Sequence, residues 1–242
     1  MTGRVLLGML TPSSNTVLEP ISSAMVAGLP NVSVHFARFP VTEISLDNKA
    51  LGQFDLQPML GAASLLADAH VQAICWNGTS AGWLGLDKDR SLCDAIRGRT
   101  RIPATSSVLA LDEIFRITGI KRYALVTPYL HRIQEQILIN FAKEGFECVA
   151  ERHLNTQRNF SFSEVTAKAL TDMVREVAKA GPQVISIFCT NLKGAPLVEA
   201  LEEEVGVPIY DTIATAVWSS LRLARTDPAM VKGWGRLFRE VA

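Results

Sequence analysis

Short β-branched runs alternate with amphipathic stretches along the whole 242-residue chain. The runs RVLLGML (4–10), VSVHFARF (32–39), VQAIC (71–75), RYALVT (122–127), VISIFC (184–189) and VPIY (207–210) predict strands. Most are nearly continuous in apolar residues, the pattern of parallel strands buried on both faces. Between them, LQPMLGAASLLADAH (56–70), LHRIQEQILINFAKEG (130–145) and SEVTAKALTDMVREVAKAG (163–181) carry apolar positions three and four apart and predict helices. Strand, helix, strand in this order predicts an α/β fold of parallel sheets flanked by helices.

The pattern is written twice. LLGMLTP (6–12) is echoed by YALVTP (123–128), and VQAICWNG (71–78) by VISIFCTNL (184–192). RIPATSSVLAL (101–111) is echoed by GVPIYDTIATAV (206–217), each a proline-led short strand entering a Ser/Thr-rich helix start. The offsets are 116, 114 and 105 residues, which predicts two similar lobes with unequal loops. We divide them as 1–111 plus a returning 218–242, and 112–217. In open parallel sheets ligands bind beyond the carboxyl ends of strands. Thr11-Pro12, Cys75, Thr127-Pro128 and Cys189 fall at such ends, so lobes facing each other place Cys75 and Cys189 in one cleft.

Composition narrows the functions. Lys plus Arg equals Asp plus Glu at 24 each, leaving no basic surplus for nucleic acid or anionic lipid. The start MTGRVLLGML is too short for a signal-peptide core, and no run approaches a membrane span, so we expect a cytoplasmic protein. The cysteines at 75, 93, 148 and 189 show no CxxC pairing, and the four histidines no metal-ligand spacing, so no metal is expected. No phosphate loop or GxGxxG occurs, so no nucleotide cofactor is indicated.

What remains is thiol and hydroxyl chemistry. A lone cysteine closing an apolar run is ordinarily a small buried hydrophobe. Its repetition at matched places favours a functional pair, while Cys93, in a helical pattern, and Cys148, in an apolar strand, stay structural. Asn77 and Thr79 after Cys75, and Thr190 and Asn191 after Cys189, suit a polar turn that hydrogen-bonds a sulfur or simply caps a helix. The loop TPSSNT (11–16) precedes a helix-start signal. Its backbone N–H groups, with Ser13, Ser14 and Asn15, make a site for an anion such as a carboxylate.

TPSSNT at 11–16, TPY at 127–129, CTNL at 189–192 and GWGRLF at 233–238 together resemble the aspartate/glutamate racemase superfamily. The nearest likeness is to its maleate cis–trans isomerase and arylmalonate decarboxylase group. The resemblance implies two pseudo-symmetric flavodoxin-like lobes with the active site between them, no cofactor, and a homo-oligomer. It implies Cys75 and Cys189 as first and second catalytic cysteines, with Asn15, Tyr129 and Asn159 on the substrate's carboxylates. Arylmalonate decarboxylases keep only the second cysteine, with glycine at the first position.

With both thiols counted as present, the resemblance implies isomerisation of a small dicarboxylate, maleate to fumarate. One thiolate adds to the alkene, the resulting single bond rotates, and elimination follows. A two-cysteine amino-acid racemase, or a related enzyme of ectoine utilisation, is the alternative. A non-catalytic carboxylate-binding protein is a third. Trp76 and Trp83, next to the first cysteine, depart from a maleate-specific pattern.

Overall fold

In the computed structural model, which describes residues 3–42 and 56–241, the chain builds two parallel four-stranded sheets of matching topology. The first lobe runs β1 (Val5–Pro12), α1 (Leu18–Val26), β2 (Val32–Phe39), α2 (Leu56–Asp68) and β3 (Ala73–Trp76). It continues through the single turn α3 (Ala81–Leu84), α4 (Leu86–Thr100) and β4 (Ala104–Ser106). The order across its sheet is β2-β1-β3-β4. A crossing helix α5 (Ser107–Ile117) leads to the second lobe: β5 (Arg122–Thr127), α6 (His131–Lys143), β6 (Glu147–His153), α7 (Asn159–Phe162) and α8 (Ala167–Ala178). Then come β7 (Val184–Ile187), α9 (Val198–Val205), β8 (Ile209–Asp211), α10 (Thr212–Leu223) and α11 (Arg236–Glu240). The second sheet repeats the first as β6-β5-β7-β8. The expected two-lobed, pseudo-symmetric α/β fold is therefore present.

Burial follows the apolar runs. β1, β3, β5 and β7 lie inside their sheets and are almost wholly buried, whereas the edge strands β2 and β6 are half-buried along most of their length. α8 shows the helical counterpart. Leu170, Met173, Val174 and Val177 repeat at three- and four-residue spacing on its buried face, and the Thr166 hydroxyl caps it by accepting from the Ala169 N–H (3.2 Å).

The helices that follow β4 and β8 join the lobes. α10 is buried at every residue from Thr212 to Leu221 and packs against α5. A helix surrounded on all sides must satisfy its own polar groups. Thr215 Oγ1 donates to the Ser107 carbonyl (3.0 Å) and Ser219 Oγ to Thr105 Oγ1 (3.2 Å), both in the other half of the chain. Ser106 caps α5 and Asp211 caps α10 from equivalent places. The C-terminal segment closes over this seam: Trp218 Nε1–H donates to the Val241 carbonyl (2.8 Å), and the Arg236 N–H to Glu202 (2.7 Å). These helices hold the carboxyl ends of the two sheets towards each other.

Candidate active site

The sheet ladders define which residues of the two lobes correspond. Trp76 pairs with Leu10, and Ile187 pairs with Val126, each partner standing immediately before a Thr-Pro step. On their other side Trp76 pairs with Ser106 and Ile187 with Asp211, the two helix caps. One residue further, the Asn77 N–H donates to the Leu10 carbonyl (3.1 Å) and the Phe188 N–H to the Val126 carbonyl (2.9 Å). Gly78 therefore occupies the place of Cys189, and Thr79 that of Thr190. The counterpart of Cys75 is Ser186, inside the strand. The repeat read from the two Cys-x-Asn strings is shifted by three residues from the repeat the hydrogen bonds show.

The expectation that Cys75 faces Cys189 across the cleft is corrected accordingly. Neighbouring residues of a strand point to opposite faces, and here Trp76, not Cys75, points to the cleft. Cys75 is fully buried and its thiol leans on the Trp76 carbonyl (3.6 Å). Burial is the main force holding that thiol well above its ordinary pKa; Cys93 and Asp89 add to it, and a hydrogen bond with Ser220 opposes it.

A cavity of about 20 Å³ lies between the strand ends of the two lobes. It is lined by Gly78, Thr79, Ser80, Tyr129, Asn159, Cys189 and Thr190, and walled by Pro12, Val41, Trp76 and Trp83. Thr79, Tyr129, Asn159, Cys189 and Thr190 are thus brought together as expected. Among the described residues that line it there is no lysine, arginine or histidine, and hydroxyl, amide and backbone N–H groups are what these residues offer an anion. Ser13, Ser14, Asn15, Asn77 and Asn191 do not line the cavity. They build its frame. Asn15 caps α1, accepting from the Val17 and Leu18 N–H groups (2.9 Å each), and donates to the Thr190 carbonyl (3.1 Å). Asn191 accepts from the Thr16 N–H (3.0 Å) and donates to the Asn159 carbonyl (2.6 Å). Asn159 donates to Ser14 Oγ (2.9 Å), Ser13 Oγ accepts from the Val41 N–H (3.1 Å), and the Asn77 carbonyl accepts from Thr190 Oγ1 (2.9 Å). These bonds tie the TPSSNT loop of one lobe to the CTNL turn of the other.

Cys189 is held as a neutral thiol. Desolvation by burial pushes its pKa up to about 12, against the opposing pull of the Tyr129 hydroxyl and the Asn191 N–H, which lies 3.4 Å from Sγ. The Tyr129 hydroxyl also bonds to Thr79 Oγ1, and burial holds Tyr129 well above its ordinary range. Opposite Cys189, Gly78 has no side chain because it has no space for one. A Cβ built there would fall within the Trp76 indole, and that ring rests on Phe39 at a centroid distance of 5.1 Å. Trp76 fills the place that a side chain at position 78 would take. Gly78, Ser80, Trp76 and Trp83 were missing from the residues the sequence marks as a site. Gly78 lies 67 residues after Thr11 but Cys189 only 62 after Thr127, so the strand register, and no count along the chain, finds Gly78.

Among the described residues no cluster of three or more His, Cys, Asp or Glu is arranged to hold a metal ion, and no helix is long and apolar enough to cross a membrane.

The two α/β lobes thus meet at a polar, thiol-bearing cavity. Residues 17–238 match the family model described as arylmalonate decarboxylase, and the chain belongs to that family. It is 25% identical to a maleate isomerase of Nocardia farcinica over 97% of this chain and 95% of that protein. It is 23% identical to an arylmalonate decarboxylase of Bordetella bronchiseptica over 97% and 96%. Among solved structures, a cysteine-to-serine mutant of the Nocardia farcinica maleate cis-trans isomerase with a covalently bound succinylcysteine intermediate superposes with a TM-score of 0.90. That match has 24% identity and covers 99% of this chain and 100% of that one. An arylmalonate decarboxylase mutant, liganded, with glycine replaced by cysteine and cysteine by serine, gives 0.84 at 20% identity, covering 98% and 99%. The relatives are enzymes, an isomerase fits among them, and the function of this chain is maleate isomerase-like or arylmalonate decarboxylase-like.

Proposed function

We propose that this protein is a cofactor-independent enzyme that generates negative charge beside a carboxylate and quenches it with a single proton from Cys189. Decarboxylation of a malonate-type diacid is the reaction that fits best. The observation that carries the reading is the pairing of a buried Cys189 with a glycine at the equivalent place of the other lobe. One carboxylate would bind among the Thr79, Ser80 and Tyr129 hydroxyls. As the C–C bond to the other carboxylate breaks, CO₂ leaves and the electron pair moves into an enediolate on the retained group. Donors placed where that charge develops stabilise it. The Cys189 S–H then gives its proton to the α-carbon. The thiolate left behind accepts hydrogen bonds from the Tyr129 hydroxyl and the Asn191 N–H until solvent returns a proton. A thiol held near a pKa of 12 suits proton donation and opposes nucleophilic attack.

A second reading is supported by the maleate isomerase relatives and by Tyr129 and Asn159, which the resemblance assigns to carboxylates and which line the cavity. In it the site isomerises maleate to fumarate, with Cys189 alone supplying the sulfur chemistry. The two-thiol mechanism and the two-thiol racemase both need a second sulfur at the cavity, where Gly78 stands.

The test is proton NMR in D₂O with phenylmalonate and, separately, maleate. Phenylacetate carrying one α-deuteron, formed by wild type and absent with Cys189→Ala, supports the decarboxylase. Fumarate from maleate with no phenylmalonate consumed moves the assignment to the isomerase.

A further inference from the structure

The hydroxyls at the cavity come from both lobes: Thr79 and Ser80 follow β3, and Tyr129 follows β5. Thr79 Oγ1 and the Tyr129 hydroxyl bond to each other across the cleft. Two turns on separate sheets keep such a contact only where something holds the turns together.

Thr79 and Ser80 lead into α3, and that turn bonds directly to them. The Gly82 N–H donates to the Thr79 carbonyl (3.0 Å), and the Trp83 and Leu84 N–H groups to the Ser80 carbonyl (3.1 and 2.9 Å). A single turn is too short to be stable by itself, and its last carbonyls have no N–H ahead of them within the helix. The Gly82 carbonyl is answered from the other lobe: Asn140 Nδ2, on α6, donates to it (2.9 Å). Asn140 is buried, and Gln136 Nε2 fixes its amide by donating to Oδ1 (3.2 Å). At the same place Gly82 lies close on the second lobe. A Cβ there would meet Phe188 Cε1 at 2.7 Å and Ile137 Cγ1 at 3.2 Å, and Phe188 stands immediately before Cys189. The absence of a side chain is what permits this approach. The neighbouring tie, Arg90 to Glu144 (3.1 Å), is part-exposed and solvent-screened, so it holds the two lobes weakly.

We propose that Asn140 is a positioning residue for the reaction. From α6 it clasps α3 against Phe188, and so sets the Thr79 and Ser80 hydroxyls where they meet Tyr129 beside Cys189. Asn140 does not line the cavity and acts through Gly82. Because α6 begins two residues after Tyr129, one helix carries the hydroxyl of its own lobe and the clasp on the other. The inference rests on the reading of Thr79, Ser80 and Tyr129 as donors to the substrate's carboxylate made above.

The test is Asn140→Leu, which nearly keeps the volume and removes the donor. On whichever acid wild type consumes, kcat should fall on the order of 10²-fold, the cost of misplacing reacting groups by about 1 Å. KM should change by less than about 3-fold, because aimed donors stabilise the transition state more than the bound acid. A second readout needs no substrate. Alkylation of Cys189 by iodoacetamide, followed by peptide mass spectrometry, should quicken about 10-fold as the loosened turn opens the cavity. Cys75, buried in the first lobe, should stay as unreactive as in wild type, which separates local loosening from unfolding. Should Asn140→Leu fail to fold, Asn140→Ser, whose hydroxyl is too short to reach the Gly82 carbonyl, gives the same comparison. Unchanged kcat and unchanged alkylation in a folded variant overturn the proposal, as does equal quickening at Cys75 and Cys189. Quickening at Cys189 alone, when wild type consumes neither phenylmalonate nor maleate, leaves the clasp standing and removes the functional reading. Wild-type turnover that Asn140→Leu leaves intact does the reverse.

Discussion

The carboxyl ends of β3 and β7 are built on one plan and finished differently. Each strand is flanked by a Thr-Pro strand on one side and a capped helix start on the other, and each runs through a two-residue step into a threonine. In the second lobe the step ends in Cys189. In the first it ends in Gly78, with the Trp76 indole lying where a side chain would be. The difference teaches that pseudo-symmetry here provides a frame for two opposed side chains while the chain uses only one. Among the described residues the cavity's thiol comes from one face, and the other face is an aromatic wall.

The sharpest way to break this comparison is to remove each thiol. Cys189→Ala should lower turnover about 10³-fold, the scale of a lost proton donor. Cys75→Ala should leave turnover within about 3-fold and cost about 1 kcal/mol of stability as a small core cavity, read by urea titration. Next is the hydroxyl opposite. Tyr129→Phe removes one donor to the developing charge and to the Cys189 thiolate, and should reduce kcat about 10²-fold. Restoring symmetry should fail on packing grounds. Gly78→Ala should destabilise the fold by about 1–3 kcal/mol through the Trp76 ring, and Trp76→Leu should recover most of that loss in the double variant.

The pH dependence of stability gives a smaller effect. Asp89 and Asp211 are buried, and desolvation raises each from 3.8 to about 7. A raised carboxyl favours the folded state fully below its unfolded pKa, and this advantage is lost as pH rises through the folded value. Stability should therefore fall between pH 5 and pH 8, on the order of 2 kcal/mol for each group. The decline in melting temperature should be shallower in Asp89→Asn and in Asp211→Asn, where the asparagine still caps α10. The smallest change should come at the periphery: Arg175→Ala breaks an exposed, solvent-screened pair with Glu204 (2.5 Å) and should leave the urea midpoint essentially where it is in wild type.

The fold was legible in the sequence because its signals are local. Arg122–Thr127 and Val32–Phe39 are strands over the same residues as their apolar runs, and the three helical stretches lose only frayed ends. The frame of the site was legible too, since TPSSNT, TPY and CTNL meet in space. The facing partner of Cys189 was not. A cysteine three residues early in the same apolar run is indistinguishable by pattern from one at the strand end, and only the ladder pairing of Trp76 with Leu10 and Ser106 fixes the count. Trp76 and Trp83 stood out in the sequence only as a departure from a maleate-specific pattern. Their position at the cavity depends on which face of β3 the cleft takes, a tertiary fact.

The central claim is one thiol at the site, and the most direct measurement of it is turnover by Cys75→Ala and Cys189→Ala side by side, on phenylmalonate and on maleate. The account predicts that whichever acid wild type consumes, Cys75→Ala consumes at nearly the same rate and Cys189→Ala does not. Loss of activity in both variants, each folded by its melting curve, would contradict it and return Cys75 to the chemistry.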